Sequence, residues 1–382
     1  MKDVAIIGIG YYGFAPTTNE VSFREGSFIA ASRAYSECNV DPRKDVDSFI
    51  ACEEDYNEGI AISNEFSVDQ LGAVLKPVST VTSESLIALA SGYLQIKSGL
   101  CDIVVVESHS KASNISSYEK ILELSLDPIY ERFLNVHPYY LASLEARYYM
   151  EKRGLRYEDL ALVIKKNKEN GLNNPRGSYS SKVDIEAISK SNKIFDPLSI
   201  HDIAPLTDAF LVVVLASREK AEELSKKPIW IEGIYWCTES VWYTLRSLDS
   251  LKALEKAAER LYEKTGINPK QIDFAEIDDR FSYRELMHLE ALKISNKYEL
   301  VKDLRQGRFN IDGDLPINPS GGYLSTGVPL DAGGLAKVYE AVLQLRNEAG
   351  KNQLKDAKRA LIMSWRGITT STYGVCILSN SG

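Results

Sequence analysis

The chain has 382 residues, a net charge of −8, 44% hydrophobic and 26% charged residues. That balance is ordinary for a soluble α/β protein and argues against a nucleic-acid or anionic-membrane partner. The length suits two or three domain-sized units or two halves sharing one core, and no apolar run approaches the roughly 20 residues that span a bilayer.

The N-terminus leads directly into a strand, Val4–Ile9, rather than a signal peptide. A helix is predicted near Glu25–Glu37, a second strand at Asp45–Cys52 and a third extended piece at Val78–Val81. The helix from Glu84 to Lys97 is apolar or small almost all round, which predicts a buried helix, and Asp102–Glu107 is a solidly apolar strand. From Ser108 to His201 helices and polar loops take over, including His137–Arg153 and Tyr157–Gly171, before a strand returns at Phe210–Ala216. The middle region thus reads as an insertion within a first α/β unit.

The second half repeats the order. Pro228–Tyr235 is a strand, Leu248–Gly266 a long helix, Ile272–Ile277 a strand, Leu335–Ala349 an amphipathic helix, and Arg359–Ser364 and Tyr373–Leu378 are strands. The matched order predicts a duplication, residues 1–220 and 221–382, with an inserted helical region at about 108–201. Alternation of this kind implies βαβ crossovers and a largely parallel sheet in each half. The five cysteines (Cys38, Cys52, Cys101, Cys237, Cys376) form no Cys-x-x-Cys pair, and the four histidines show no ligand spacing. Neither a disulfide nor a metal site is expected, and a reducing cytoplasm fits.

One stretch organises the second half: Asn318 to Gly334, with five glycines and two prolines in seventeen residues. Such a composition predicts a loop, not a regular helix or strand. Its opening, Asn318-Pro319-Ser320-Gly321-Gly322, is similar to the Asn-Pro-x-Gly-Gly of the thiolase superfamily. Glu276-Ile277-Asp278-Asp279-Arg280-Phe281-Ser282 resembles that family's Glu-Val-His-Asp-x-Phe-Thr, and Ile96 to Val106 resembles the segment after its nucleophile helix. Tyr140-Leu141-Ala142 with Ala146 to Met150, Pro205-Leu206-Thr207-Asp208 and Leu343 to Gly350 extend the likeness over nearly the whole chain. The sterol-carrier-protein and archaeal types are the most similar.

The resemblance implies a five-layered α-β-α-β-α fold of two similar halves, usually dimeric, that takes acyl-CoA thioesters as ligands and holds no tightly bound cofactor. In that family a cysteine at a helix N-terminus attacks the thioester, one histidine activates it, and a second helps hold the thioester oxygen. Carried over residue by residue, the cysteine falls on Thr82, one histidine on Asp278, the other on Val328, and a family glycine on Asp331. Thr82 or Ser83 is expected to cap the buried helix rather than to act as a nucleophile, since an alcohol needs an adjacent base and Val328 offers none. Asp278 and Asp331 are candidates for acid–base work, with pairing to Arg280 or Arg366 as the alternative. Ser320, Gly321, Gly322 and Tyr323 are expected to line the acyl site, although packing is the favoured role for Tyr323 in a chain with 21 tyrosines.

Three functions follow from this pattern. The first is an acyl-CoA-binding protein that has lost thiolase activity. The second is an acyl-CoA enzyme of aldol or retro-aldol type using carboxylates. The third is a structural partner of an active thiolase or of a small acyl-CoA-carrying companion.

Overall fold

The computed structural model of the protein describes residues 3–54 and 62–381. The first half contains β1 (Val4–Ala15), α1 (Phe23–Cys38), β2 (Ser48–Cys52), β3 (Val78–Thr80), α2 (Ser85–Lys97) and β4 (Ile103–Ser110). Helical segments follow, among them α3 (Pro138–Arg153) and α4 (Tyr157–Asn170), before β5 (Asp208–Ser217). The second half contains β6 (Ile229–Thr238), α5 (Lys252–Thr265), β7 (Phe274–Glu276), α6 (Ser282–Ala291), α7 (Gly322–Thr326), α8 (Gly333–Leu345), β8 (Arg359–Trp365) and β9 (Thr372–Ser379). No helix among the described residues is long and apolar enough to cross a membrane.

The strands hydrogen-bond in the order β3-β2-β4-β5-β1-β6-β9-β8-β7. Within the first half the order is therefore third, second, fourth, fifth, first. The second half has the same order, its third place taken by Ile317, which bridges Ala275 in parallel. In each half the fifth strand runs antiparallel to both neighbours, β5 to β4 and β1, β9 to β8 and β6. The other pairings of the large sheet within each half are parallel, so the crossovers expected from the alternating pattern are present and each half is mixed. The halves meet edge to edge through only two residue pairs, Ala5 with Trp230 and Ile6 with Ile229.

Alternation along the strands sorts the core into layers. Ala5, Ile7, Val105 and Val212 face outward onto α1, whereas Ile6, Val104, Val106 and Val213 face inward onto α2 and α8. The second half presents Phe274, Ile362 and Cys376 to the same two central helices and Leu361, Val375 and Ile377 to α5 and α6. Helix, sheet, paired helices, sheet, helix is the five-layered fold expected. Outer helix α1 lies directly on β1, where a methyl group on Gly10 would approach the Ala34 nitrogen to 2.7 Å. Helices α3 and α4 add Ala146, Tyr149, Leu160 and Ile164 to the core on the second half's outer face.

Two expectations need correction. Helix α8 is not amphipathic: twelve of its thirteen residues are buried, Lys337, Glu340 and Gln344 among them, and it ends at Leu345. Glu340 pairs with the distant Arg176, and Gln344 bonds to Asn352 and Leu354 in the segment that follows the helix. The glycine-rich stretch is not wholly a loop either. Gly322–Thr326 forms a short buried helix because Asp279 accepts hydrogen bonds from the Tyr323 and Leu324 N–H groups at its start, 2.6 and 3.1 Å away.

Candidate active site

The two central helices bring their N-termini together. Ser85 Oγ accepts the Leu335 N–H of α8 at 3.0 Å, so the first turn of one helix caps the other. The cap of α2 itself is Glu84, whose carboxylate accepts the Leu86 N–H at 2.9 Å. A carboxylate there is favoured by the helix dipole and by N–H groups that have no partner inside the helix. Ser364 Oγ, from β8, also donates to Glu84, and the Gly334 N–H adds a further bond. Glu84 is 2% exposed. Burial pushes its carboxyl above the ordinary range, although Ser364, the Leu86 and Gly334 N–H groups and Arg280 all pull the other way.

Thr82 does not occupy this position. It is exposed, and the helix begins three residues later at Ser85. The expected cap is therefore corrected to Glu84, which reaches back over the first turn. The thiol nearest this position belongs to Cys52, whose Sγ donates to the Ser83 carbonyl at 3.3 Å. Burial pushes that thiol well above its usual range, and the carboxylates of Asp331, Glu84 and Glu53 push the same way. Such surroundings keep sulfur protonated and unreactive.

Past the end of β7 the chain places Asp278, Asp279 and Arg280 in the interior. Arg280 donates through Nε and Nη2 to Asp278, the shorter contact being 2.9 Å, and its other hydrogen bonds go to the carbonyls of Trp365 and Arg366. Burial pushes Asp278 up, but the Arg280 charge and hydrogen bonds, with the Lys337 charge behind them, hold it below the usual carboxylate range. His288 Nδ1 donates to the Asp278 carbonyl at 2.8 Å, and burial pushes this imidazole down to about 3, so it is neutral. Asp279 is a structural acceptor: burial pushes it up to about 6 against the Lys337 charge.

Buried polar groups hold the glycine-rich stretch from both sides. Asn318 Oδ1 accepts the Ile277 N–H at 2.8 Å while its amide donates to Glu285. Ser320 donates to Glu276 through its N–H and Oγ at 3.0 and 2.7 Å, and burial pushes Glu276 up to about 7. Asn167, Asn170 and Asn174, on and just beyond α4, reach across to Asp279 and to the Asn318 and Ser320 carbonyls. Gly321 and Gly322 sit at φ 102° and 59°, conformations that favour glycine. Val328 lies between Pro205 and Thr207, bound through its backbone at 2.7 and 3.1 Å. Asp331 accepts the Glu54 N–H at 2.7 Å, and Arg366 pairs with the Glu54 carboxylate.

The structure thus brings Asp278, Val328, Asp331 and Tyr323 around one buried centre and leaves Thr82 outside. Space there is small. A cavity of about 30 Å3 is bordered by Glu54, Tyr118, Arg280, Asp331 and Arg366. Its neighbour, about 20 Å3, is bordered by Tyr139, Arg280, Phe281 and Val328. Each has room for only one or two waters. Two larger clefts, about 670 and 420 Å3, lie beside the N-terminal end of β7 and the C-terminal end of α8, the far ends of these elements from Asp278 and Gly333. Trp365 does not fill the centre; it stacks on Tyr373 with an interplanar angle of 11°. Arg366 does reach it, through Glu54. Among the described residues one group could hold a metal, Glu53, Glu107 and His109. His109 Nδ1 lies 2.7 and 2.9 Å from the two carboxylates, distances that a shared proton also fills.

Neither Glu84 nor Ser364 was expected from sequence to belong to the site, and Arg280 was expected only as a pairing partner of the carboxylates. For Glu84 a signal existed: a carboxylate directly before a helix that is apolar all round is placed to cap its buried N-terminus.

Comparison with known proteins agrees with this architecture. Residues 237–380 match the family described as Thiolase C-terminal domain-like. An acetyl-CoA acetyltransferase of Methanothermobacter thermautotrophicus is 30% identical, over 99% of this chain and 100% of its own. The chain belongs to the thiolase superfamily. Among solved structures, one titled Ltp2-ChsH2(DUF35) aldolase superposes with a TM-score of 0.85 at 22% identity, over 99% of this chain and 98% of that one. A monomeric SCP2-thiolase like protein type 1 from Mycobacterium smegmatis does so with a TM-score of 0.74 at 16% identity, over 100% of this chain and 77% of that one. Both share the fold of this thiolase-superfamily member.

Proposed function

We propose that this member of the thiolase superfamily binds a coenzyme A thioester and does not run the cysteine-based reaction. One observation carries the reading: the N-termini of α2 and α8 converge on the carboxylate of Glu84 instead of on a thiolate. A carboxylate already holding those N–H groups leaves them no free capacity for a tetrahedral oxyanion. The nearby Cys52 is held as a thiol, and Val328 can neither give nor take a proton. The Ser320–Tyr323 segment is taken to line the acyl site, in two halves dividing near residue 220. Five free cysteines support a reducing, cytoplasmic setting, and a homodimer is in keeping with the family.

The test pairs binding with turnover. Calorimetry is expected to detect acetyl-CoA binding, while no acetoacetyl-CoA forms from acetyl-CoA and none is cleaved by free CoA. Turnover that Thr82→Ala or Cys52→Ala abolishes would overturn the reading. A second reading, aldol or retro-aldol chemistry on the thioester, is favoured by the buried carboxylates and by likeness to a protein titled as an aldolase with a DUF35 partner. It would also give this chain a companion subunit.

A further inference from the structure

Tyr323 has a hydroxyl with no hydrogen-bond partner among the described residues, although the residue is 2% exposed. Buried hydroxyls are ordinarily paired, and an unpaired one costs stability unless a ligand completes it. This hydroxyl lies against Gly333, the first residue of the thirteen-residue α8, where a methyl group would overlap it. The next glycine, Gly334, packs against the Glu84 carboxylate in the same way. A buried carboxylate and an unpaired phenol therefore meet at one helix N-terminus, packed into the space that side chains at the two glycines would fill. Arg280 lies 5.8 Å from the Tyr323 ring and Lys337 3.8 Å from it.

We propose that Glu84 and Tyr323 are an enolising pair for an acyl-CoA. The Glu84 carboxylate removes a proton from the carbon next to the thioester carbonyl, and the Tyr323 hydroxyl donates a hydrogen bond to the carbonyl oxygen. The C–H bond breaks, an O–H bond forms on Glu84, and the electron pair moves onto the thioester oxygen. The reverse step returns a proton to the same carbon. Atoms and charge balance without an oxidant, a metal or a second substrate. A carboxylate base opposite a neutral hydroxyl donor is a recurring arrangement for carbanions beside a carbonyl. The dipole of α8 favours the negative charge that develops near its N-terminus. Burial supports both roles, raising the Glu84 carboxyl and holding Tyr323 protonated. The proposal rests on the thioester-binding reading above.

The experiment is deuterium exchange: the full chain is incubated with acetyl-CoA, and separately propionyl-CoA, in D2O, and mass gain at the acyl group is followed. Wild-type protein is expected to exchange the protons next to the carbonyl. Glu84→Gln is expected to slow this by at least about 100-fold, as for loss of a catalytic base. Tyr323→Phe is expected to slow it by about 100-fold, as for loss of an oxyanion donor. Glu84→Asp should retain part of the rate with a displaced pH profile. No exchange by wild-type protein that binds acetyl-CoA calorimetrically overturns the pair and leaves the binding reading standing. No binding overturns both. If Glu84→Gln does not fold, Tyr323→Phe decides, because it removes only an unpartnered oxygen: wild-type exchange in that variant overturns the proposal.

Discussion

At the scale of single residues, the decisive feature is which charge faces which. Asp278 could be picked out from sequence, and pairing with Arg280 was one of two roles open to it. What could not be read was that Arg280 also reaches the Trp365 carbonyl, 85 positions away, and so fixes the pair in the interior. Nor did local sequence show that Glu84 would meet Gly334, because the contact joins the two halves. The Asp278–Arg280 pair leads to a stability prediction. Arg280→Met leaves a carboxylate buried without its partner, which is expected to cost about 3–5 kcal/mol. The double variant Asp278→Asn with Arg280→Met removes both charges and should recover most of that loss. Urea unfolding of the two proteins checks this; equal losses in both would show that the pair is not the source.

At the scale of elements, the strands were the most legible. Unbroken apolar runs such as Val104-Val105-Val106 are buried on both faces, and such runs are recognisable without partners. The glycine-rich stretch and α8 were less so, because polar residues in both are satisfied by segments far away in the chain. An amphipathic helix implies a solvent-facing polar side, and Lys337, Glu340 and Gln344 are the polar residues there. In the folded chain Arg176 binds Glu340 at 2.6 Å, and that side is interior. The junction of α2 and α8 is correspondingly intolerant of added volume. A methyl on Gly334 would sit 2.6 Å from the backbone nitrogen of Leu86 and overlap the Glu84 carboxylate. Neither helix end can move without disturbing the other. Gly334→Ala is therefore expected to destabilise by about 1–3 kcal/mol despite alanine's better helix propensity. A melting temperature equal to or above the wild-type value would contradict the packing described.

At the scale of the whole molecule, duplication was readable as a repeated order of elements, but the position of each strand was not. Strand order depends on crossovers, and β1 meeting β6 through two residue pairs leaves no local trace. The same assembly buries carboxyl groups from both halves in one interior, and this gives the protein a pH dependence. Burial raises Glu276 to about 7 and Asp279 to about 6, and raises Glu107 in the same direction. A carboxyl with a raised folded pKa binds its proton more tightly when folded. Its contribution to stability is thus complete below the unfolded pKa, about 4–4.5, and is lost as pH rises through the folded value. His288 acts the other way, because burial lowers it from 6.5 to about 3. Its contribution is present above 6.5 and declines as pH falls below that. One imidazole opposes three carboxyls between pH 5 and 6.5, and above 6.5 the carboxyls act almost alone. The melting temperature is accordingly expected to fall as pH rises from 5.5 to 8. Glu276→Gln mimics the protonated carboxyl while still accepting from Ser320, so it should flatten that fall and raise stability at pH 8. A melting temperature that rises with pH over this interval, or a Glu276→Gln variant with the wild-type slope, would show that the buried carboxyls do not set the balance.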